Sequence, residues 1–336
     1  MNTKPLRCVM VGVTNRGKSM TDLLQADSEH FEIVALVDKT EEFARCEAQR
    51  RGWNDMKCFG SIKDCLRQVK AEAAIITSPA RFHGEQIRDC FEAGLHVLVA
   101  KPLVYDLREA EQLVELAEMK NLSLVVDQQY QFFLTERTVS EWIKNKKYGD
   151  VGFIDFKIHR HRPNMAAFTG DNPFIWEQGV HSFNSLLSIL GRPAVSVFAH
   201  QIKPKWSSYN GPTVCFGEIE FSGGIPCQYL GTFDSRAFTI DMRIECEHAA
   251  IRTVANKSFL KELEVALPGQ TFESVGIKDT DDSQPAERFN LQAFYKKIHE
   301  GGRCINDGRD NLRTLAIVDA FIRSSQSRKW ESVRQF

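Results

Sequence analysis

The chain has 336 residues, of which 43% are hydrophobic and 26% charged, and its formal net charge is −1. That length exceeds what one hydrophobic core usually holds, so we expect two domains. The near-neutral charge gives no reason to expect nucleic acid or an anionic membrane surface as a partner. No apolar run reaches transmembrane length, and the first residues lack the apolar core of a signal peptide, so we expect a cytoplasmic protein without a membrane segment.

The cysteines are scattered singly along the chain. They lie at Cys8, Cys46, Cys58, Cys65, Cys90, Cys215, Cys227, Cys246 and Cys304. An odd count with no Cys-x-x-Cys pair predicts reduced, mostly structural thiols rather than a disulfide framework or a zinc site.

A glycine-rich turn follows the first predicted strand. The strand covers Leu6–Val11, the turn reads Gly12-Val-Thr-Asn-Arg-Gly17, and a helix is expected over Met20–Leu24. This order is typical of a dinucleotide site, where the helix N-terminus binds the pyrophosphate, although a plain turn is the alternative. Thr14 replaces the usual middle glycine, and its hydroxyl can bond a phosphate. We therefore predict cofactor contacts from Gly12, Thr14, Asn15, Arg16 and Gly17.

The second predicted strand, Glu32–Val37, ends in Asp38, which lies 21 residues after Gly17 (38 minus 17). An acid about 20 residues past the glycine turn is typical of the residue that binds the ribose hydroxyls. A carboxylate at this place repels a 2′-phosphate, which favours NAD over NADP as the cofactor. Lys39 follows directly, so this preference is not decisive.

Strands and helices then alternate up to residue 127. Strands are predicted over Ala73–Thr77, Val97–Ala100 and Leu122–Val126, and helices over Thr40–Gly52, Ser61–Gln68, Gly84–Glu92 and Leu107–Met119. This alternation predicts an α/β Rossmann domain over residues 1–127, with a doubly wound parallel sheet whose strand carboxyl ends meet at one ligand-binding edge. We expect further cofactor contacts from Thr77, Ser78, Pro79, His83, Lys101 and Gln129. A histidine that opens a helix, as His83 does, is more often a surface or capping residue.

Lys101 stands at the end of an apolar strand and directly before Pro102. Proline cannot donate to a sheet ladder, so the strand ends there and the lysine is held at its carboxyl end. Half desolvated at this edge, the ammonium can lose or share its proton. A lysine that simply leaves the sheet for water is the alternative interpretation.

From residue 128 onward strands predominate, which predicts a second, α+β domain over residues 128–336 with a large, mostly antiparallel sheet. Its predicted strands are Val151–Arg160, Val195–Gln201, Val214–Phe221, Ile225–Thr232, Thr239–Cys246 and Ala250–Val254, with Gly223-Gly224 as a hairpin turn. Helices are expected over Thr135–Lys144, Asn290–Glu300 and Asp310–Ser324, and a loop over Asp279–Pro285. The C-terminal helices can alternatively pack back on the first domain.

One predicted helix of this domain, from Ile175 to Leu187, carries charged and polar residues among apolar ones. Glu177 and His181 are spaced i, i+4 and share one helical face with Asn184. A carboxylate and a histidine so placed can act as an acid/base pair. No third ligand nearby indicates a metal, so none is expected, and a solvated helix face is the alternative.

Several of these features together resemble the Gfo/Idh/MocA family, the group of glucose-fructose oxidoreductase and inositol dehydrogenase. They are the glycine turn, Asp38, the stretch Thr77-Ser-Pro-x-x-x-His83, Gly94-Leu-His-Val97 and Lys101-Pro102 at these spacings. Ala100 stands where the family usually has glutamate before Lys-Pro. Glu177 and Asn184 replace the two aspartates of the family's helix motif, which has the same histidine spacing. The resemblance covers nearly the whole chain.

The resemblance implies an NAD(P)-dependent oxidoreductase that moves a hydride between a nicotinamide and a secondary hydroxyl or ketone of a sugar, inositol or sugar derivative. By position it makes His181 the residue nearest the reacting hydroxyl, with Glu177 as its partner and Lys101 assisting. It also implies a homodimer or homotetramer and an open sheet face that carries substrate. Predicted substrate contacts are Lys101, Tyr130, His159, Arg162, Trp176 and His181.

Two other functions stay open on the sequence. The departures at Thr14, Ala100, Glu177 and Asn184 are what a catalytically weak member would show if it served as an NAD- and sugar-binding sensor or regulator. The same residues can also run the reaction in the opposite direction, as a ketone or imine reductase, since metabolite levels set the direction.

Overall fold

The computed structural model describes residues 4–163, 170–257, 259, 261–277, 285–302 and 304–336. The predicted loop over Asp279–Pro285 therefore lies, apart from its last residue, outside the described residues. The chain divides into two compact units. The first contains the residues up to Gln128 together with Pro285–Leu312, and the second contains Gln129–Gln284 and Arg313–Phe336.

Parallel strands form the sheet of the first unit. Six are described, β1 (Leu6–Val11), β2 (Phe31–Val37), β3 (Lys57–Phe59), β4 (Ala73–Ile76), β5 (His96–Ala100) and β6 (Leu124–Asp127). Their order, β3-β2-β1-β4-β5-β6, with every neighbouring pair parallel, is the doubly wound order of dinucleotide-binding folds. This confirms the predicted parallel sheet. Strand β3 was not predicted, because three residues are too few to show a pattern.

Helices connect these strands in sequence. They are α1 (Arg16–Ala26), α2 (Glu41–Arg50), α3 (Ile62–Gln68), α4 (His83–Glu92) and α5 (Leu107–Met119). Side chains of Thr40, Ser61 and Asp106 cap three of them, each accepting a hydrogen bond from the backbone N–H three residues later. Helix α5 has its predicted bounds, whereas α1 begins earlier than predicted because the glycine turn leads directly into it.

A second sheet, of nine described strands, forms the second unit. They are β7 (Val151–His161), β8 (Ala194–Ile202), β9 (Val214–Phe221), β10 (Ile225–Thr232), β11 (Asp234–Cys246), β12 (Ala250–Ala255), β13 (Glu262–Ala266), β14 (Glu273–Ser274) and β15 (Glu331–Ser332). Their order is β14-β13-β12-β11-β7-β10-β9-β8-β15, and of the described pairs only β7 with β10 is parallel. The prediction of a mostly antiparallel sheet is confirmed.

Helices α6 (Leu134–Lys144) and α7 (Val180–Leu190) belong to the second unit. The ring of Phe183 in α7 lies 5.1 Å from that of Tyr229 in β10, so this helix covers one face of the sheet. Residues Ile175–Gly179 form a π-helical turn before α7. The predicted uninterrupted helix from Ile175 is therefore wrong at its start, because a π-turn advances more residues per turn than an α-helix.

Two further helices, α8 (Ala286–Glu300) and α9 (Gly308–Ser327), lie towards the C-terminus and precede β15. All nine cysteines are free, and seven of them are buried. Among the described helices none is both long and apolar enough to cross a membrane. The described residues also contain no group of three His, Cys, Asp or Glu side chains arranged to hold a metal ion.

Candidate active site

The glycine turn of the first unit is closed tightly against the end of β4. Gly12 has a φ of +81°, and a Cβ built there would lie 2.6 Å from the backbone nitrogen of Ser78. A Cβ on Gly17 would lie 1.8 Å from the carbonyl oxygen of Gly12, so neither position accepts a side chain without movement. The Thr77 hydroxyl donates to that same carbonyl over 2.5 Å. Thr77, predicted as a cofactor contact, thus holds the turn in place.

The exposed part of the turn fits an anionic group. Thr14 and Asn15 are exposed, and Asn15 has a positive φ of 47° immediately before α1. The first turn of α1 contains no acidic residue. The positive end of the helix dipole suits a pyrophosphate at this place. The dipole and the absence of a side chain at Gly12 therefore fit the predicted dinucleotide.

Arg16 lies in the same turn, but its guanidinium group pairs with two carboxylates of the first unit. Its guanidinium contacts the Asp127 carboxylate at 2.6 Å and the Glu287 carboxylate at 2.7 Å. Asp127 is 1% exposed and also accepts a hydrogen bond of 2.9 Å from the Asn290 side chain. Burial raises the pKa of Asp127, and Arg16 opposes that rise. Arg16 joins the glycine turn to β6 and α8, a role that sequence spacing did not reveal.

Asp38 lies at the end of β2 and is bonded to the glycine turn. Its carboxylate accepts hydrogen bonds from the backbone N–H of Val13 at 2.9 Å and of Lys39 at 2.7 Å. The Lys39 ammonium lies 3.8 Å from the centre of the Phe43 ring, so this side chain runs along α2. The predicted ribose-binding acid is therefore half-exposed beside the turn.

His83, predicted as a cofactor contact, is buried, so the alternative interpretation as a surface residue is wrong. It is 1% exposed, with Nε2 2.8 Å from the carbonyl oxygen of Ser78. Its Nδ1 lies 3.0 Å from the carbonyl oxygen of Pro102 and 3.1 Å from that of Leu103. Burial lowers the pKa of His83, against the effect of these carbonyls. The ring therefore connects the loop after β4 to the chain after Lys101.

Lys101 is half-buried at the carboxyl end of β5, as its sequence position predicts. The Lys101–Pro102 peptide bond is cis. Pro79 precedes a short 3₁₀ turn over Ala80–Phe82, and the Ser78 hydroxyl donates to the Gln86 side chain over 2.5 Å. These residues lie along the strand ends of the parallel sheet.

The second unit contains a buried pair of stacked rings. The imidazole of His181 lies 4.0 Å from the ring of Tyr130, with an angle of 13° between their planes. The two side chains are 5% and 9% exposed. Burial raises the pKa of Tyr130 to about 12, a rise that the nearby Arg160 opposes. Gln129, a predicted cofactor contact, is half-buried directly before Tyr130.

Two arginines contact the π-helical turn next to this pair. Arg162 contacts the carboxylate of Glu177 at 3.2 Å, and Arg160 donates to the amide oxygen of Gln178 over 2.6 Å. The sequence predicted roles for Arg162 and Glu177 but missed Arg160 and Gln178. Strand periodicity offered a signal for Arg160, since it lies two residues after Ile158 on the buried face of β7.

Three further candidates belong to the second unit. His159 contacts the Thr239 hydroxyl at 3.2 Å, and alternation along β7 places it on the opposite face from Arg160. Trp176 is 6% exposed inside the π-helical turn. Asn184 contacts the Thr314 hydroxyl at 3.5 Å in a buried position.

Both halves of the sequence match known family models. One, described as "Oxidoreductase family, NAD-binding Rossmann fold", matches residues 6–128, and another, described as "Oxidoreductase family, C-terminal alpha/beta domain", matches residues 141–333. The chain belongs to the Gfo/Idh/MocA oxidoreductase family. The first unit is therefore an NAD-binding Rossmann domain, and the resemblance seen in the sequence is confirmed.

Relatives within the Gfo/Idh/MocA family include sugar and inositol dehydrogenases. The chain is 26% identical to D-glucoside 3-dehydrogenase of Escherichia coli (strain K12), over 67% of this chain and 69% of that protein. It is 22% identical to scyllo-inositol 2-dehydrogenase (NADP(+)) IolW of Bacillus subtilis (strain 168), over 88% and 90%. The WlbA dehydrogenase from Bordetella pertussis, solved with NADH and UDP-GlcNAcA, shares the fold with a TM-score of 0.83, at 18% identity and coverage of 99% and 100%.

Proposed function

We propose that this oxidoreductase transfers a hydride between NAD and a secondary hydroxyl or ketone of a sugar, an inositol or a sugar derivative. The observation that carries the proposal is His181, a buried imidazole stacked on Tyr130 in the second domain of a family whose first domain binds NAD. The D-glucoside and scyllo-inositol dehydrogenases among its relatives support this substrate class.

In the proposed mechanism the protein manages the proton of the reacting hydroxyl. His181 accepts it during oxidation and returns it during reduction, because an imidazole titrates near neutral pH. Glu177 contributes negative charge on the turn that precedes His181, and Lys101 polarises the oxygen or shares the proton. The nicotinamide, when bound, supplies the hydride chemistry, and the protein supplies orientation.

The cofactor would be held by the turn from Gly12 to Gly17, with its pyrophosphate at the N-terminus of α1. Asp38 would accept hydrogen bonds from the ribose hydroxyls, which is why we propose NAD rather than NADP. Some relatives, such as the scyllo-inositol dehydrogenase named above, use NADP(+), so the two cofactors are compared directly in the test below.

We further propose that the protein is a homodimer or homotetramer. Phe153, Phe198 and Phe216 line one groove on the sheet of the second unit and are each at least 40% exposed. Exposed apolar patches of this kind mark association surfaces. Light scattering on the full chain would test this, and a monomer at micromolar concentration would contradict it.

The function is tested by calorimetric titration with NAD and NADP, followed by a panel of sugars, inositols and polyols monitored at the NADH absorbance band. Tight NAD binding with turnover on any panel member supports the proposal. NAD and sugar binding without turnover would favour the alternative function of a sensor or regulator. Failure to bind either nucleotide would overturn the cofactor assignment as well.

A further inference from the structure

Two arginines continue a row of apolar side chains on strand β7. The buried residues of this row are Ile154, Phe156 and Ile158. Because side chains alternate along a strand, Arg160 and Arg162 follow on that same face. The N–H of Arg162 donates to the carbonyl oxygen of Phe233 over 2.9 Å, so the extended backbone continues past the end of β7. The side chains of Arg160 and Arg162 thus extend the face of β7 that is otherwise occupied by buried apolar side chains.

The direct contacts of Arg160 are with one amide and two aromatic rings. It donates to the Gln178 amide oxygen over 2.6 Å, and its guanidinium carbon lies 4.8 Å from the Phe259 ring centre and 5.7 Å from that of Phe233. The ion pairs found among the described residues include none for Arg160. Burial lowers the pKa of Arg160 and the like charge of Arg162 adds to that effect, whereas Tyr130, Tyr209 and Glu177 oppose it. A half-buried guanidinium is costly unless an anion compensates its charge.

Arg162 and Glu177 form an ion pair, with 3.2 Å between their atoms and side chains 30% and 20% exposed. Burial, Glu177 and Asp234 all raise the pKa of the nearby Tyr209, yet no described carboxylate lies within ion-pair distance of Arg160. Arg160 and Arg162 both oppose the rise in the pKa of Tyr130. The guanidinium of Arg160 can therefore bind an anionic group beside Tyr130 and its stacking partner His181.

We propose that Arg160 and Arg162 bind a carboxylate group of the substrate, which makes the substrate a sugar acid rather than a neutral sugar. This inference rests on the proposed function, because it names the substrate class of that same site. A guanidinium presents paired N–H donors that match a carboxylate in two parallel hydrogen bonds.

The test compares acids with neutral sugars on the full chain in the presence of NAD. Calorimetry measures the binding of D-glucuronate, D-galacturonate and D-gluconate against D-glucose, D-galactose and D-glucitol, with glucose 6-phosphate as the phosphate probe. We expect at least one acid to bind about tenfold or more tightly than its neutral counterpart, because the hydrogen bonds between a guanidinium and a carboxylate are charge-assisted. Arg160→Gln should abolish this difference.

A matched control comes from the opposite face of the same strand. Lys157 contacts Asp155 at 2.5 Å and belongs to neither the catalytic nor the binding residues, so Lys157→Gln should keep the preference for the acid. Arg160→Lys retains the charge and loses the paired donors, so it should keep part of the preference. This variant also serves as the test if Arg160→Gln does not fold.

The outcomes separate this inference from the proposed function. If neutral sugars are turned over and no acid is preferred, the carboxylate site is overturned and the proposed oxidoreductase function is still supported. If an acid binds in a way that depends on Arg160 but is not turned over, the carboxylate site is supported and the proposed activity is overturned. Tighter binding of glucose 6-phosphate than of every acid would assign the two arginines to a phosphate and overturn the sugar-acid assignment.

Discussion

Nε2 of the buried His83 ring lies 2.8 Å from the backbone carbonyl oxygen of Ser78, in the loop that follows β4. The other nitrogen of the ring lies 3.0 Å from the carbonyl oxygen of Pro102. One imidazole thus connects the loop that closes on the glycine turn with the chain that follows Lys101. Through these contacts His83 positions two of the strand ends that carry the predicted cofactor contacts.

Replacing His83 by alanine should destabilise the protein by about 2–4 kcal/mol, because it leaves buried carbonyl groups unsatisfied and opens a cavity. Urea unfolding measures this loss. His248→Ala is the matched control, since that ring is exposed, with a side-chain accessibility of 66%, and should change stability by less than about 0.5 kcal/mol. A His83→Ala variant as stable as the control would contradict the connecting role.

The same residue predicts a pH dependence of stability. Burial lowers the pKa of His83 below its ordinary value of 6.5, so the folded state holds the ring neutral while the unfolded state takes up a proton below that pH. The free energy of unfolding should therefore fall as the pH drops from about 6.5, since the unfolded state then binds more protons. His83→Gln should reduce this slope when the midpoint of unfolding is measured from pH 7.5 to 5. An unchanged slope would show that other groups cause it.

A substitution of Arg16 distinguishes a structural role of this side chain from a direct contact with the cofactor. Arg16→Gln leaves the buried carboxylate of Asp127 without its guanidinium partner, which should cost about 3 kcal/mol of stability. Arg309→Gln removes an ion pair with Glu118, and since both of those side chains are about half exposed, it should cost less than about 1 kcal/mol. Loss of NAD affinity in Arg16→Gln without loss of stability would instead favour the direct cofactor contact predicted from the sequence.

Asp38 should decide between the two nicotinamide cofactors. Asp38→Ser removes the charge that repels a 2′-phosphate, so the ratio of NAD to NADP affinity should fall by about tenfold, or about 1.4 kcal/mol. Calorimetric titration of both cofactors gives this ratio. Lys39→Gln is the neighbouring control, because the Lys39 ammonium lies on the Phe43 ring, and it should move the ratio far less. A rise of the ratio in Lys39→Gln as large as its fall in Asp38→Ser would instead mean that Lys39 contacts the 2′-phosphate.

Sequence patterns correctly predicted the features that depend on residues close together in the sequence. The alternation of buried strands with helices predicted the parallel sheet, and the position of Lys101 before Pro102 predicted its place at the end of β5. The contacts of His83 with Pro102 and of Arg16 with Glu287 join residues far apart in sequence, so no local pattern indicates them. The π-helical turn also escaped prediction, because i, i+4 spacing assumes an α-helix and cannot detect one additional residue in a turn.

The stack of Tyr130 on His181 predicts which group governs the pH dependence of turnover. The pKa of Tyr130 is raised to about 12 by burial, so its hydroxyl stays protonated throughout the pH range in which enzymes are usually assayed. The limb of the kcat/KM profile near neutral pH should therefore belong to His181. His181→Gln should lose about 100-fold or more in kcat together with that limb, since general acid/base catalysis contributes on that scale.

Two variants of Tyr130 distinguish the effect of its aromatic ring on the pH profile from the effect of its hydroxyl group. Tyr130→Phe keeps the stacked ring and should keep the position of the neutral limb, whatever it does to substrate affinity. Tyr130→Leu removes the aromatic face against which the imidazole lies at 4.0 Å, and should shift that limb. Both profiles are measured with the same substrate at saturating NAD. A limb that disappears in Tyr130→Phe would assign the proton transfer to the tyrosine hydroxyl and refute the role given to His181.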